Sequence, residues 1–450
     1  MMREVSMSVP SGDGSMWTRR RFLHATTSAL GASALSAWGS DTKPIRVAAI
    51  VTSFTHRSHA HVILENFLED YPFNGQRTSS GCQVVSLFTD QHPEGDMAPA
   101  VAKEYRIAHV PTIREALTLG GKSLAVDGVL SIGEHGEYPY NEKKQHQYPR
   151  KRFFDEIVAT FREVGGVCPV FNDKHLSYRW DWSKEMADVS RSMGFALMAG
   201  SSVPLAERRP SVELPDSSPI TAAVSIHGGG LESYDFHGLE VLQSMVEARR
   251  GGEVGVARVE FLGEEKLWQK GEAGAWSIPL ADAAMRAELG PEAPGVRELS
   301  RTPRFANPHG ILITYRDGFQ ALMLKFGEDG IRWNFACQID GEKEPRATRF
   351  HVGPWQNRNL FKALSHAIQI HFREKKPPYP MERTLLTSGI LSAAMDSRFE
   401  GEKPVDTPWL NIAYPPIDFR RCREMGQTWK QITDQTPEPA GMHRFFGSSS

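Results

Sequence analysis

Apolar residues recur in the first half of the chain in two alternating rhythms. Ile45–Val51, Val84–Asp90, Val126–Ile132, Val167–Phe171 and Phe195–Gly200 are short, nearly continuous apolar runs of strand length. Between them, Ser58–Asp70 (Val62, Ile63, Phe67, Leu68), Met97–Tyr105, Ile113–Leu117, Phe153–Val164 and Trp182–Met193 have apolar residues at helical spacing. Strands alternating with helices predict a parallel sheet covered on both faces. Ligands of such sheets sit beyond the carboxyl ends of the strands. Polar residues gather there: His56, His59 and His61 after the first run, Asp90 and His92 after the second. Glu134, His135 and Glu137 follow the third, and Asn172, Asp173, Lys174 and His175 the fourth.

Beyond Ser201 the rhythm changes. A Pro/Ser-rich connection, Arg208–Pro219, leads to strands at Ile220–Ile226, Val254–Leu262, Ile311–Tyr315, Gln320–Phe326, Ile331–Gln338 and Thr348–Val352. Asp317-Gly318 and Asp329-Gly330 are hairpin signals between neighbouring strands, so this half predicts an antiparallel sheet with one face open to helices. Leu239–Ala248, Asn359–Phe372 and Thr384–Phe399 supply those helices, their apolar stripes being core. The fold class is therefore α/β. A Rossmann-like parallel sheet (41–205) precedes an α+β half with a large, mostly antiparallel sheet (206–412), then a polar tail (413–450).

Composition narrows the function. The 450 residues are 40% hydrophobic with a net charge of −2, a core-forming chain with no basic surplus for nucleic acid. Four scattered cysteines make neither a disulfide framework nor a Cys-rich zinc site. No apolar run long enough to span a bilayer follows residue 40. Residues 1–40 read as an export signal: Arg19-Arg20-Arg21-Phe22-Leu23 precedes a small, apolar run from Ala25 to Ala37. Paired arginines there are of the twin-arginine type, which implies a periplasmic or secreted protein.

Ordered landmarks across about residues 45–412 resemble the glucose–fructose oxidoreductase, inositol dehydrogenase and MocA family. Gly165-Gly166-Val167-Cys168-Pro169-Val170-Phe171-Asn172-Asp173-Lys174 is similar to its "eaGkhVlcEKP" segment. Gly228-Gly229-Gly230-Leu231-Glu232-Ser233-Tyr234-Asp235-Phe236-His237 is similar to its "GGGaLlDiGvH" segment. The resemblance implies an NAD- or NADP-dependent oxidoreductase that acts on a sugar or cyclitol hydroxyl and assembles as a homo-oligomer. It makes Lys174 and His237 the proton-relaying pair and Asp90 the ribose acceptor. Glu134 and Asp173 join Asp90 and Arg57 on the cofactor side, and His135, Asn172 and Glu240 fall to the substrate.

Two departures stand beside these matches. The family's G-x-G-x-x-G loop is here Thr52-Ser53-Phe54-Thr55-His56-Arg57-Ser58, and no glycine occurs from Ile45 to Phe73. Ser233 stands where the catalytic aspartate belongs, so Asp235 or Glu232 must serve from a neighbouring position. A non-redox lyase, isomerase, hydrolase or sugar-binding protein on the same scaffold is the alternative reading. The histidines and acids of the rim suit zinc, manganese or iron, but His59 and His61 cannot share a helix face, and no metal is assigned.

Overall fold

A computed structural model describes residues 43–442. The segment read as an export signal, residues 1–40, lies outside the described residues. The first half contains β1 (Ile45–Val51), α1 (His59–Leu68), a small hairpin of β2 (Tyr71–Phe73) and β3 (Gln76–Thr78), and β4 (Cys82–Thr89). It continues through α2 (Ala98–Tyr105), β5 (Ala108–His109), α3 (Ile113–Thr118), β6 (Gly128–Ile132), α4 (Arg150–Val164), β7 (Val170–Asp173), α5 (Trp180–Met193) and β8 (Leu197–Gly200). Six strands form one parallel sheet in the order β5-β4-β1-β6-β7-β8. The apolar run of β1 serves both faces: Val47, Ala49 and Val51 join one core cluster, Ala48 and Ile50 the other. That double burial is why the strand reads as continuous rather than alternating.

The second half contains β9 (Glu207–Arg209), β10 (Ile220–His227), α6 (Ser233–Val246), β11 (Val256–Leu262), α7 (Glu264–Glu272), α8 (Ile278–Leu289), α9 (Val296–Leu299) and β12 (His309–Tyr315). Then come β13 (Gln320–Lys325), β14 (Trp333–Ile339), β15 (Arg346–His351), α10 (Asn357–Glu374), α11 (Met381–Phe399) and β16 (Val405–Asp406). The eight-stranded sheet runs β16-β11-β12-β13-β10-β14-β15-β9. It is mostly antiparallel, with β10 and β13 parallel.

Two expectations need correction. Asp317-Gly318 does turn between paired β12 and β13, but Asp329-Gly330 joins strands that do not touch, because β10 lies between β13 and β14. The large sheet also has no open face. α6 and α11 cover one side with Phe236, Leu239, Leu386 and Ile390, while α7, α8 and α9 cover the other with Trp268, Trp276, Leu280 and Val296.

From Pro44 onward the described residues form one compact unit. α10 packs its apolar stripe on α1, and α11 runs along both β8 and β11. The segment after 412 is packed as well, burying Phe419, Cys422, Ile432 and Met442. All four cysteines are unpaired, and among the described residues no helix is long and apolar enough to cross a membrane.

α6 is tied to α11 by a fully buried ion pair. Arg383 donates to Glu247 (Nε to Oε2, 2.9 Å), and Tyr414 donates to the same oxygen at 3.0 Å. Removing the cation leaves a carboxylate with no escape to water. Arg383→Met should therefore cost about 3–5 kcal/mol of unfolding free energy in a denaturant titration, where a change below about 1 kcal/mol would refute the pairing.

Candidate functional site

The carboxyl ends of β6 and β7 meet the first turn of α6, and six side chains close a ring across the junction. Glu134, just past β6, accepts from Lys174 Nζ at 2.8 Å and forms an ion pair with Arg150 at the start of α4. Lys174 also donates to Ser233 Oγ at 2.7 Å. Arg150 Nη1 lies 3.2 Å from His175 Nε2, and that nitrogen is 3.5 Å from Glu232 Oε1. Glu232 and Ser233 are consecutive, which completes the circuit. Lys174, Glu134, Arg150, His175 and Glu232 are each at most 6% exposed by side chain, so the ring lies in low dielectric where its contacts are strong.

His237 sits one turn beyond Ser233 on α6, near enough for the charge of Lys174 to act on it. Its Nδ1 is 2.6 Å from Ser201 Oγ at the end of β8. Trp333 and Tyr234 wall it, their rings stacked 5.5 Å apart with 3° between planes. The turn before α6 is tight: a Cβ on Gly229 would lie 1.9 Å from the Tyr234 ring, so only glycine fits. Partly buried Ser233, Tyr234, His59 and His135 form the more open side of the cluster.

Burial sets the protonation. Desolvation alone would raise Glu134, but Lys174 and Arg150 hold its carboxyl well below the usual range. His237 is held well below its ordinary value by burial and then by Lys174, and His175 by burial and then by Arg150. Both imidazoles are therefore neutral. His135 is pushed down to about 4 by burial and by neighbouring His59.

The remaining expected residues are placed as follows. Asp173 pairs with His59 Nδ1 at 2.6 Å, and Asn172 Nδ2 bonds the carbonyls of Asp173 and His175. His135 lies against His59, and Glu240 bonds Thr387 at 2.6 Å beside Gly200, where a Cβ would be 3.0 Å from its carboxylate. Asp235 is fully buried. Its Oδ1 accepts from His227 (2.9 Å) and His309 (2.8 Å), and its Oδ2 accepts from Glu232 N at 2.7 Å. His227, Asp235 and His309 have the residue types of a metal site. However, His227 Nδ1 accepts the Gly229 N–H at 3.2 Å, so its Nε2 carries the proton and donates to Asp235 rather than to a cation. Arg150 escaped the sequence reading. It sits on a charged helix face, and only its distant partners show why it is buried.

The dinucleotide cradle implied by the resemblance is filled. Arg57 N donates to His61 Nδ1 (2.8 Å), His59 N to His135 Nδ1 (3.4 Å), and Thr55 N and His61 N to Ser58 Oγ (3.2 and 3.3 Å). These are the amides that would have met a pyrophosphate. Phe54 is fully buried within the turn, and the Arg57 guanidinium is tied to Glu438, Asn357 and the Trp355 carbonyl. Asp90 accepts from Tyr138 and Arg152, each at 2.6 Å. The residues present do not fit NAD or NADP.

The sequence matches no protein-family model and no curated protein. Its fold does have counterparts. A probable dehydrogenase from Thermotoga maritima has a TM-score of 0.51 at 11% identity, over 81% of this chain and 100% of that one. GenD2 from gentamicin A biosynthesis, solved in complex with NAD, has a TM-score of 0.53 at 9% identity, over 81% of this chain and 97% of that one. A myo-inositol 2-dehydrogenase from Lactobacillus plantarum aligns over 81% and 99% at 11% identity, TM-score 0.49. The chain therefore has the fold of the glucose–fructose oxidoreductase, inositol dehydrogenase and MocA proteins.

The filled loop makes a measurable statement. Fluorescence or calorimetric titration of the purified protein with NADH and NADPH should show no saturable binding, and denaturation should release none. A dissociation constant in the micromolar range would mean that the loop opens and the cradle re-forms.

Proposed function

We propose that this protein uses a dehydrogenase scaffold to move a proton on a carbohydrate or cyclitol, without hydride transfer. One observation carries this reading: an ammonium has three N–H donors, and Lys174 spends two, on Glu134 and Ser233. The third serves a substrate oxygen. His237, neutral and one turn along the same helix, is the base, with Nδ1 engaged by Ser201 and Nε2 left for the substrate. In the step that suits this pair, a C–H bond next to a substrate carbonyl breaks and its proton passes to His237. The electron pair moves onto the carbonyl oxygen, where Lys174 steadies the enolate charge. Returning the proton to another position gives an isomerase; giving it to the hydroxyl beta to the carbonyl, which leaves as water while the enolate electrons form the C=C bond, gives a lyase. The export signal expected at residues 1–40 supports a site of action outside the cytoplasm.

A second reading, nicotinamide-dependent oxidation of a sugar or cyclitol hydroxyl, draws on the fold shared with GenD2, which was solved with NAD. One experiment separates the two. The purified protein is incubated in D₂O with a panel of keto-sugars and keto-cyclitols, with and without NAD(P), and followed by proton NMR. Deuterium should enter beside the carbonyl without nicotinamide, and Lys174→Met and His237→Ala should each lower that rate about 10²–10⁴-fold. Turnover that occurs only with added NAD(P) would replace this reading by the second.

A further inference from the structure

Asp235 is the carboxyl that the sequence puts nearest the missing aspartate, yet both of its oxygens are spent on His227, His309 and the Glu232 amide. A second carboxyl in the same turn is differently placed. Glu232 is the central residue of a γ-turn with φ 64° and ψ −64°, closed by Ser233 N to Leu231 O at 2.8 Å. A side-chain-bearing residue rarely adopts that conformation, and backbone strain of this kind collects at functional sites. The reciprocal cap with Asp235 holds it there, Glu232 accepting from the Asp235 amide while Asp235 accepts from its own. Glu232 is 3% exposed, and among the described residues its Oε1 has no hydrogen-bond partner. His175 faces that oxygen at 3.5 Å, and its Nδ1 is likewise unpartnered.

We propose that Glu232 is the proton store of this site, a buried carboxyl that releases its proton to solvent by way of His175 and thereby sets the charge that Lys174 and Arg150 present to a ligand. The step is balanced: the Glu232 O–H bond breaks as an N–H bond forms on His175 Nε2, which turns from Arg150, and the imidazolium then gives one proton to water, so the site loses one positive charge. The groups facing Glu232 are Lys174, Arg150, Glu134 and His175 from the first half, with Asp235 from its own helix. Burial pushes the Glu232 carboxyl up to about 7 although Lys174 and Arg150 pull it down, while burial keeps His175 neutral, so the proton rests on the glutamate. With Glu232 protonated, Glu134 alone opposes two cations, and the site has a net positive charge for an oxyanion. Once Glu232 ionises, that charge is cancelled. The inference rests on the proposed reading of Lys174 as the group that steadies an oxyanion, and its test needs no substrate.

Infrared difference spectra of the intact protein would be recorded from about pH 5 to about pH 9, spanning the carboxyl and imidazole ranges. A protonated-carboxyl band should disappear with a midpoint near 7 and be absent from Glu232→Gln. It should persist in Glu240→Gln and in Glu207→Gln, which remove the two other carboxyls that burial raises. A band that survives in Glu232→Gln, or no carboxyl titrating in that range, would overturn the proposal while leaving the roles of Lys174 and His237 open. Should Glu232→Gln fail to fold, carboxyl-carbon NMR of the wild-type protein reads the same ionisation, and its absence overturns the proposal equally. The folded state binds this proton more tightly than the unfolded chain, so wild-type thermal stability should fall as pH rises from about 4.5 through about 7.

Discussion

A single carboxylate, Glu134, stands between two buried cations, and the arrangement of the site follows from it. Neither Lys174 nor Arg150 could remain charged at this depth without it, because the desolvation of an isolated ion exceeds what surrounding dipoles return. Sharing one anion brings the end of β6, the start of α4 and the end of β7 to one point. Lys174 then reaches across to Ser233, so the same charge balance registers α6 against the parallel sheet. Lys174, His135 and Glu232 all have positive φ, so the convergence is held in unusual backbone as well as by side chains. A lysine and a histidine far apart in sequence thereby share a partly desolvated space, the condition under which a neutral imidazole is a useful base.

The dinucleotide end of the scaffold has been rebuilt by equally local means. Where glycines would leave bare amides at the start of α1, Ser58, His61 and His135 accept those donors. Arg57 is held by Glu438 from the polar C-terminal segment, and Arg358 at the start of α10 binds the same carboxylate at 2.8 Å. The loop is thus anchored from two sides of the chain. A filled loop after β1 and a buried lysine near a histidine can coexist because they occupy different strand ends. A fold can keep one site while surrendering the other.

Much of this was legible in the residues. The apolar runs located the parallel strands because double burial erases polar alternation, and strand-end polarity pointed to Glu134, Lys174 and His175. The two glycine-led segments pointed to Lys174 and His237, and the coordinates bring Lys174 to Ser233, one turn before His237 on α6. What could not be read depends on contacts remote in sequence. Arg150 looks like one more charge in Arg150-Lys151-Arg152, and nothing local says that the first is buried while the third is half-exposed. Asp235 looked reactive by spacing, but His309 lies in β12, and spacing does not reveal that the carboxylate is already engaged. Asp329-Gly330 has hairpin chemistry, yet the strands it joins admit β10 between them, because pairing is decided by the whole sheet and not by the turn.

The helices between β11 and β12 were missed for a related reason, and they bear on assembly. α7, α8 and α9 are short and interrupted by Gly274, Gly290 and Pro291, so no long period marks them. They nevertheless bury Trp268, Trp276, Leu280, Met285 and Val296 against the outward residues of β10, β12 and β13. The resemblance implies a homo-oligomer, and an apolar sheet face is the kind of surface that drives such a contact. Here the chain's own helices take the apolar area that would drive such a contact, since side chains already removed from water gain nothing from a second burial. Any contact between copies has to use the polar outer surfaces of these helices or another face altogether.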